Sequence, residues 1–322
     1  MVNKKTPYEK GSGKKKLSAI LSTLVMIIAV IVYYWPEIEA ALMIPPAAEP
    51  VYAPEDGSAE VYFFDVGQGD SILIRTGDYT MLIDASVREA GDVILQNLEA
   101  LGVKQLDAVV ATHPHADHIG GMTQVIEEVP IDTFYMPVLP DEDVPTTRTY
   151  ENMLDALLEQ GVVTRQISND TVIPAPEGAR FEVLSPYDGD SWKDMNDYSA
   201  VIRFTYGDVS FMLTGDAEAP VEERILETRR DISSEILKCG HHGSSSSTSE
   251  DFLWVVDPAV AIISCAEVND YGHPHRETMA SLKQQSCDIY QTWDVGTVCV
   301  QTDGETYTVN TWSVGAGMLP AA

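Results

Sequence analysis

Short apolar runs bounded by polar and glycine residues recur along most of this chain, and stretches with helical spacing lie between them. The short apolar runs predict strands at Val61–Val66, Ser71–Arg75 and Thr80–Asp84, joined by turns at Gly67, Gly69 and Gly77. Val93, Ile94, Leu98 and Leu101 predict a helix over Asp92–Leu101 that stops at Gly102. A buried strand follows at Asp107–Ala111, then a helix over Ile119–Glu128, a strand at Thr133–Met136 and a helix over Tyr150–Gln160 ended by Gly161. Further strands are expected at Val162–Ile167, Phe181–Leu184, Ala200–Tyr206 and Val209–Leu213. Helices at Glu218–Thr228, Ser249–Val256 and Arg276–Gln285 then alternate with strands at Glu235–Cys239 and Val260–Ser264. Closing strands are expected at Asp288–Thr292, Thr297–Thr302 and Thr306–Thr311, while residues 137–149 and 186–198 read as surface loops. The pattern alone establishes a mixed α and β class. Strand clusters flanked by helices fit two sheets packed face to face with helices outside.

The amino terminus breaks this pattern. Residues 1–16 form a polar tail carrying Lys4, Lys5, Lys10, Lys14, Lys15 and Lys16, and Leu17–Trp35 carries no charge. At a rise of about 1.5 Å per residue, a helix of that length spans about 28 Å, close to the hydrocarbon thickness of a bilayer. Tyr33, Tyr34 and Trp35 would sit at the far interface and Pro36 would end the helix. The reading is a single-pass transmembrane anchor over 17–35 with its lysine-flanked end in the cytoplasm and the remainder outside. A cleaved signal peptide is the competing reading, but the apolar run is long for one and Ile38-Glu39-Ala40 is a poor cleavage site. Residues 36–58 hold five prolines among alanines and acids and read as a semi-rigid linker to a folded part at 59–314.

Charge is uneven. Six lysines and one glutamate precede residue 36, which leaves 14 basic against 49 acidic residues and a balance of −35 in the rest. So acidic a domain repels nucleic acid and anionic membrane at long range, unless bound cations invert the field locally. Of the four cysteines, Cys287 and Cys299 flank a possible strand turn and could pair, while Cys239 reads as a buried free thiol.

Candidate chemistry concentrates in residues 112–121, Thr-His-Pro-His-Ala-Asp-His-Ile-Gly-Gly, which hold three of the seven histidines. In a loop leaving a strand, side chains two apart point the same way. His113 and His115 can therefore reach one ion, and Asp117 with His118 a second. Nitrogen and oxygen ligands without thiolate suit zinc, with manganese or iron as alternatives. Asp216 follows a predicted strand within Thr-Gly-Asp-Ala-Glu and either caps the next helix or bridges two ions. His241 and His242 also follow a strand; His241 is the expected ligand and His242 is expected to face the substrate. Lys238 either offsets substrate charge or is a solvated edge lysine. Ser244 opens a serine run that could donate hydrogen bonds to an anion. Asn269 and His273 share a late loop, where either could contact a phosphate or protonate a leaving group.

The His-x-His-x-Asp-His pattern resembles the metallo-β-lactamase superfamily. Phe64–Ser71, Leu213–Glu218, Leu237–Ser244 and Asn269–Pro274 are similar to the hydrolase domain of ComEC-type competence proteins, and the resemblance runs from about 59 to about 312. It implies an α/β fold, the four-layer αββα sandwich, and an enzyme with two divalent metal ions, zinc or manganese, ligated by His113, His115, Asp117, His118, Asp216 and His241. It implies a metal-bridged hydroxide attacking a phosphodiester, with Asp117 holding its proton, and a substrate of extracellular DNA linked to uptake. Asp84 would orient a ligating histidine, and Asp65, Gln68, Gly69 and Asp70 would build the turn at the site's edge. Where most of the superfamily has another histidine, this chain has Asn196, and where the family usually has glycine it has Ser86. Two other readings stand beside this one. One is hydrolysis of a cell-envelope phosphoester such as teichoic-acid phosphorylcholine, with Tyr198, Tyr271 and Trp293 as candidate choline contacts. The other is a catalytically idle binding module that keeps its metal.

Overall fold

The structure, a computed structural model, describes residues 57–321. The expected basic tail and membrane anchor lie outside the described residues, as does the linker up to residue 56. Among the described residues no helix is long and apolar enough to cross a membrane. The first strands are β1 (Ala59–Phe63), β2 (Ile72–Thr76), β3 (Tyr79–Ile83), β4 (Leu106–Val110), β5 (Ile131–Pro137) and β6 (Val163–Ile167). They are followed by β7 (Ala179–Ser185), β8 (Val201–Tyr206), β9 (Val209–Leu213), β10 (Ile236–Lys238), β11 (Val260–Ile263) and β12 (Asp288–Gln291). The chain closes with β13 (Thr297–Thr302), β14 (Tyr307–Ser313) and β15 (Gly317–Pro320), the last of which the periodicity did not signal. The α-helices are α1 (Gly91–Ala100), α2 (Ala116–Ile119), α3 (Met122–Glu128), α4 (Arg148–Gln160), α5 (Ala219–Glu227), α6 (Glu250–Val256), α7 (Arg276–Gln285) and α8 (Thr292–Val295).

Strand alternation sorts these residues into layers. Val61, Phe63, Ile74, Met81 and Ile83 face Ile202, Phe204, Phe211 and Leu213 of the other sheet. The intervening Tyr62, Leu73, Leu82 and Val109 pack beneath Ile94 and Leu98 of α1, Met122 and Ile126 of α3, and Met153 and Leu157 of α4. On the far side Met212, Leu237 and Ala261 pack beneath Val221 and Ile225 of α5, Phe252 of α6 and Leu282 of α7. The result is the expected four-layer αββα order. Each fully buried Leu, Ile or Phe contributes roughly 1.5–3 kcal/mol of transfer free energy, which is why the period-2 faces hold register.

Nine strands form one sheet in the order β15-β14-β13-β1-β2-β3-β4-β5-β6, and six form the other in the order β12-β11-β10-β9-β8-β7. Strands β3 to β6 run parallel, as do β9 to β12. Parallel strands present their carboxyl ends along one edge, where side-chain loops converge on ligands. Asp84, His113 to His118, Asp216, His241 and His242 all follow such ends.

Three expectations change. The helix expected over Ile119–Glu128 is two pieces, α2 and α3, separated at Gly120 and Gly121. A Cβ on Gly120 would lie 2.4 Å from the Arg88 nitrogen, and one on Gly121 2.4 Å from the Ala85 carbonyl. The chain bends there because backbone meets backbone. Residues 186–198 are not simply a surface loop: Asn196, Asp197 and Tyr198 are buried. Asp197 accepts from the Glu218 amide at 3.2 Å, and the Tyr198 hydroxyl donates to Asp143 at 2.9 Å. Cys287 and Cys299 do not pair. The first precedes β12 and the second lies in β13 of the other sheet, and all four thiols are free.

Candidate metal centre

Four loops meet at the carboxyl edge of the two sheets. Asp84 follows β3, His113 to His118 follow β4, Asp216 follows β9, and His241 and His242 follow β10. One ligand atom from each of Asp117, His118, Asp216 and His242 lies within 4.8 Å of all the others. The Asp216 Oδ2 atom is the hub, 3.1 Å from His118 Nε2, 3.5 Å from His242 Nε2 and 3.8 Å from His241 Nε2. His113 and His115 form the adjoining corner, with His113 Nε2 3.0 Å from His115 Nδ1. The His113 and His118 rings are 4.1 Å apart.

Hydrogen bonds on the far sides of the rings decide which nitrogens face inward. Asp84 accepts from His118 Nδ1 at 2.7 Å, from the Thr112 hydroxyl at 2.6 Å and from the Thr112 amide at 2.8 Å. His242 Nδ1 donates to the Ser264 carbonyl at 2.9 Å. Both rings therefore carry hydrogen on Nδ1 and turn Nε2 toward Asp216, the arrangement found behind metal-ligating histidines. His118 Nε2, His242 Nε2, Asp216 Oδ1 and Asn196 Oδ1 are buried with no hydrogen-bond partner among the described residues. Buried polar atoms are seldom left this way, and a convergent set of them fits a divalent cation.

Electrostatics agree. Burial alone would raise the Asp216 carboxyl, yet the His118 and His242 rings hold it well below the usual carboxylate range. Burial opposes charge on His118, but Asp216 and Asp84 push it well above its ordinary value. The carboxylates demand a positive charge at this spot, whether ring protons or a metal ion carries it. His113 is held well below its ordinary value by burial and by His118, so it is a neutral donor.

Backbone strain accompanies the site. His241 and His242 take φ of 47° and 54°, and Asp84 and Ser86 take 59° and 50°, all in the left-handed region. Ser86 occupies the left-handed position that suits glycine better. Gly69 cannot carry a side chain, since a Cβ would lie 2.4 Å from the Asp117 carbonyl.

A cleft of about 320 Å³ opens over the cluster, lined among others by Asp117, Asn196, Asp216, His241, His242 and His273. His273 is buried against His241, with ring centres 5.3 Å apart, and burial and the neighbouring rings lower its pKa to about 4. His241, the expected ligand, and His242, expected to face the substrate, both turn Nε2 toward Asp216, at 3.8 and 3.5 Å, and both line the cleft, but His242 is the one grouped closely with Asp117, His118 and Asp216. Lys238, expected near substrate or in solvent, is fully buried; its Nζ lies 2.8 Å from Asp70 Oδ2 and donates to the Cys239 carbonyl at 2.8 Å. Asn269 staples its own loop by donating to the carbonyls of Ala266 and His273. Ser244 bonds Ser246 rather than the cleft. Cys239 is buried with its thiol pushed up to about 12, which suits no thiolate ligand. Asp70, expected in the turn at the site's edge, pairs with Lys238 and lies 3.5 Å from His242 Nδ1, while the parts played by Glu218 and Ser264 were not expected. Glu218 had one local signal, its place two residues after Asp216.

The chain matches the metallo-beta-lactamase superfamily over residues 64–267. It is 32% identical over 266 residues to ComE operon protein 3 of Bacillus subtilis, covering 77% of this chain and 34% of that protein. It is 29% identical over 246 residues to competence protein ComA of Neisseria gonorrhoeae, covering 75% of this chain and 32% of that one. The chain thus spans about a third of the length of these relatives. Among solved structures, the metallo-beta-lactamase fold protein YhfI from Bacillus subtilis superposes with a TM-score of 0.50 at 14% identity, over 72% of this chain and 96% of that one. Fold and sequence agree that this chain belongs to the metallo-beta-lactamase superfamily, with relatives among ComEC-type competence proteins.

Proposed function

We propose that the domain is a metal-dependent phosphodiesterase in which His113, His115, Asp117, His118, Asp216 and His242 would hold two divalent ions, zinc or manganese. The convergence of inward-facing ring nitrogens on Asp216 carries this reading. Such ions, when bound, would acidify a water and neutralise a phosphoryl group. The residues supply the rest. Asp117 borders the cleft and accepts a hydrogen bond from the attacking water. His241 faces the cleft through Nε2, placed to meet a phosphoryl oxygen. His273, neutral near pH 7, lines the wall where a leaving group would exit. Lys238 meets neither: it braces Asp70 beneath His242. DNA is the proposed substrate, since named relatives are competence proteins. The proposed setting is the outer face of the membrane, held there by residues 17–35. An acidic domain needs bound cations to accept such a polyanion, which makes metal dependence strict.

Teichoic-acid phosphorylcholine has less support. Of the three aromatics considered for choline, Tyr271 alone lines the cleft, whereas Tyr198 is buried and hydrogen-bonded to Asp143. The test is to purify the 322-residue chain, measure bound metal, and assay bis-p-nitrophenyl phosphate, single-stranded DNA and duplex DNA with and without EDTA. Metal near two equivalents and EDTA-sensitive cleavage are expected. A metal-loaded chain inert toward all three would instead mark a binding module.

A further inference from the structure

We infer that Glu218 is a positioning residue, holding His241 so that its Nε2 faces the substrate cleft. This rests on the phosphodiesterase reading only for its kinetic consequence. The geometry is independent of it. Glu218 Oε1 lies 3.0 Å from His241 Nδ1 and accepts from the Ser246 hydroxyl at 2.8 Å. A carboxylate only accepts, so Nδ1 carries the hydrogen and the opposite nitrogen points away from Glu218. That opposite nitrogen, Nε2, lies 3.8 Å from Asp216 Oδ2, on the cleft side.

Glu218 is itself fixed. Its amide donates to Asp197 Oδ1 at 3.2 Å, and the following Ala219 amide donates to the Ser246 carbonyl at 2.9 Å. The need for such bracing comes from the backbone. His241 sits at φ 47°, in a conformation that non-glycine residues hold only when their surroundings determine it. Asn196 does not replace the brace, because its Nδ2, 3.4 Å from His241 Nδ1, is a second donor facing a donor. His242 has its own brace in the Ser264 carbonyl, so the two adjacent rings are held independently and turned to different tasks.

The test compares wild type, Glu218→Ala, Glu218→Gln, His241→Ala and the Glu218→Ala/His241→Ala double variant as metal-loaded full chains. Glu218→Ala is expected to lower kcat/KM on bis-p-nitrophenyl phosphate about 10–100-fold with metal content unchanged. Glu218→Gln, which keeps an accepting oxygen in place, is expected to recover most of this. The double variant should be no worse than His241→Ala alone, because Glu218 acts through that ring. Proton NMR should show a low-field Nδ1–H resonance in wild type that is lost in both single alanine variants. If Glu218→Ala fails to fold, Glu218→Asp withdraws the oxygen while keeping the charge and is expected to show the same losses. Additive losses in the double variant, loss of metal in Glu218→Ala, or persistence of the resonance without the Glu218 oxygen would overturn the inference. An inactive wild type would sink the phosphodiesterase reading alone, since the resonance still reports on the pair.

Discussion

Replacing Lys238 with methionine removes a buried positive charge while keeping most of the volume of its side chain. Lys238 and Asp70 are both buried, their charged atoms 2.8 Å apart. Removing one partner of such a pair typically costs about 3–5 kcal/mol, because the survivor stays desolvated without compensation. Here His242 Nδ1, 3.5 Å from Asp70 Oδ1, offers partial relief, so the lower end of that range, about 3 kcal/mol, is expected at pH 7. That is a large share of a total stability of roughly 5–15 kcal/mol. Asp70 also sets the pH dependence. Burial would raise it, but Lys238 and His242 lower it to about 2. A carboxylate with a depressed folded pKa contributes stability above its unfolded value, near 4, and loses it as pH falls through the folded one. Lys238 is raised despite burial, through Asp70 and Asp216, so its contribution is present below its unfolded pKa and lost as pH rises through the folded one. In Lys238→Met the Asp70 carboxyl should therefore protonate more readily, and the gap to wild type should narrow toward pH 4. Urea denaturation followed by tryptophan fluorescence in EDTA, at pH 7 and pH 4, measures both effects. Asp70→Asn/Lys238→Met should recover much of the loss, since no charge is left buried. A deficit under about 1 kcal/mol for Lys238→Met at pH 7, or no recovery in the double variant, would refute a buried pair of this strength.

Other consequences are open to direct measurement. Asp84→Asn leaves His118 without its anionic acceptor and should weaken metal binding about 10–100-fold, read by chelator competition; unchanged affinity would show that the ring needs no brace. Gly69→Ala forces a Cβ to within 2.4 Å of the Asp117 carbonyl at φ +132°. It should cost about 1–3 kcal/mol and reduce activity, and a thermal melt equal to wild type would contradict that close approach. His273 is neutral in the fold down to about pH 4, whereas the unfolded chain protonates it near 6.5, so its contribution to stability is lost as pH falls through that window. His273→Gln should flatten the dependence of Tm on pH between about 6.5 and 4, and an unchanged slope would rule out that assignment.

Contiguous signals were legible in the sequence. Short apolar runs bounded by turn residues named nearly every strand of both sheets, because strands such as β1, β2, β9 and β11 are buried on both faces. The His-x-His-x-Asp-His loop pointed to a candidate metal centre because its potential ligands are neighbours along the chain. What tertiary structure alone decided involves partners far apart in sequence. The orientation of the His241 and His242 rings depends on a left-handed turn, on the Glu218 carboxylate and on the Ser264 carbonyl, which no local pattern encodes. Lys238 looked like an edge lysine until the fold brought Asp70, from the other sheet's first hairpin, against it. The break at Gly120 and Gly121 likewise follows from contact with the loop after β3. Periodicity reports which face of an element is dry, but only the packed chain determines which polar atoms meet once water has left.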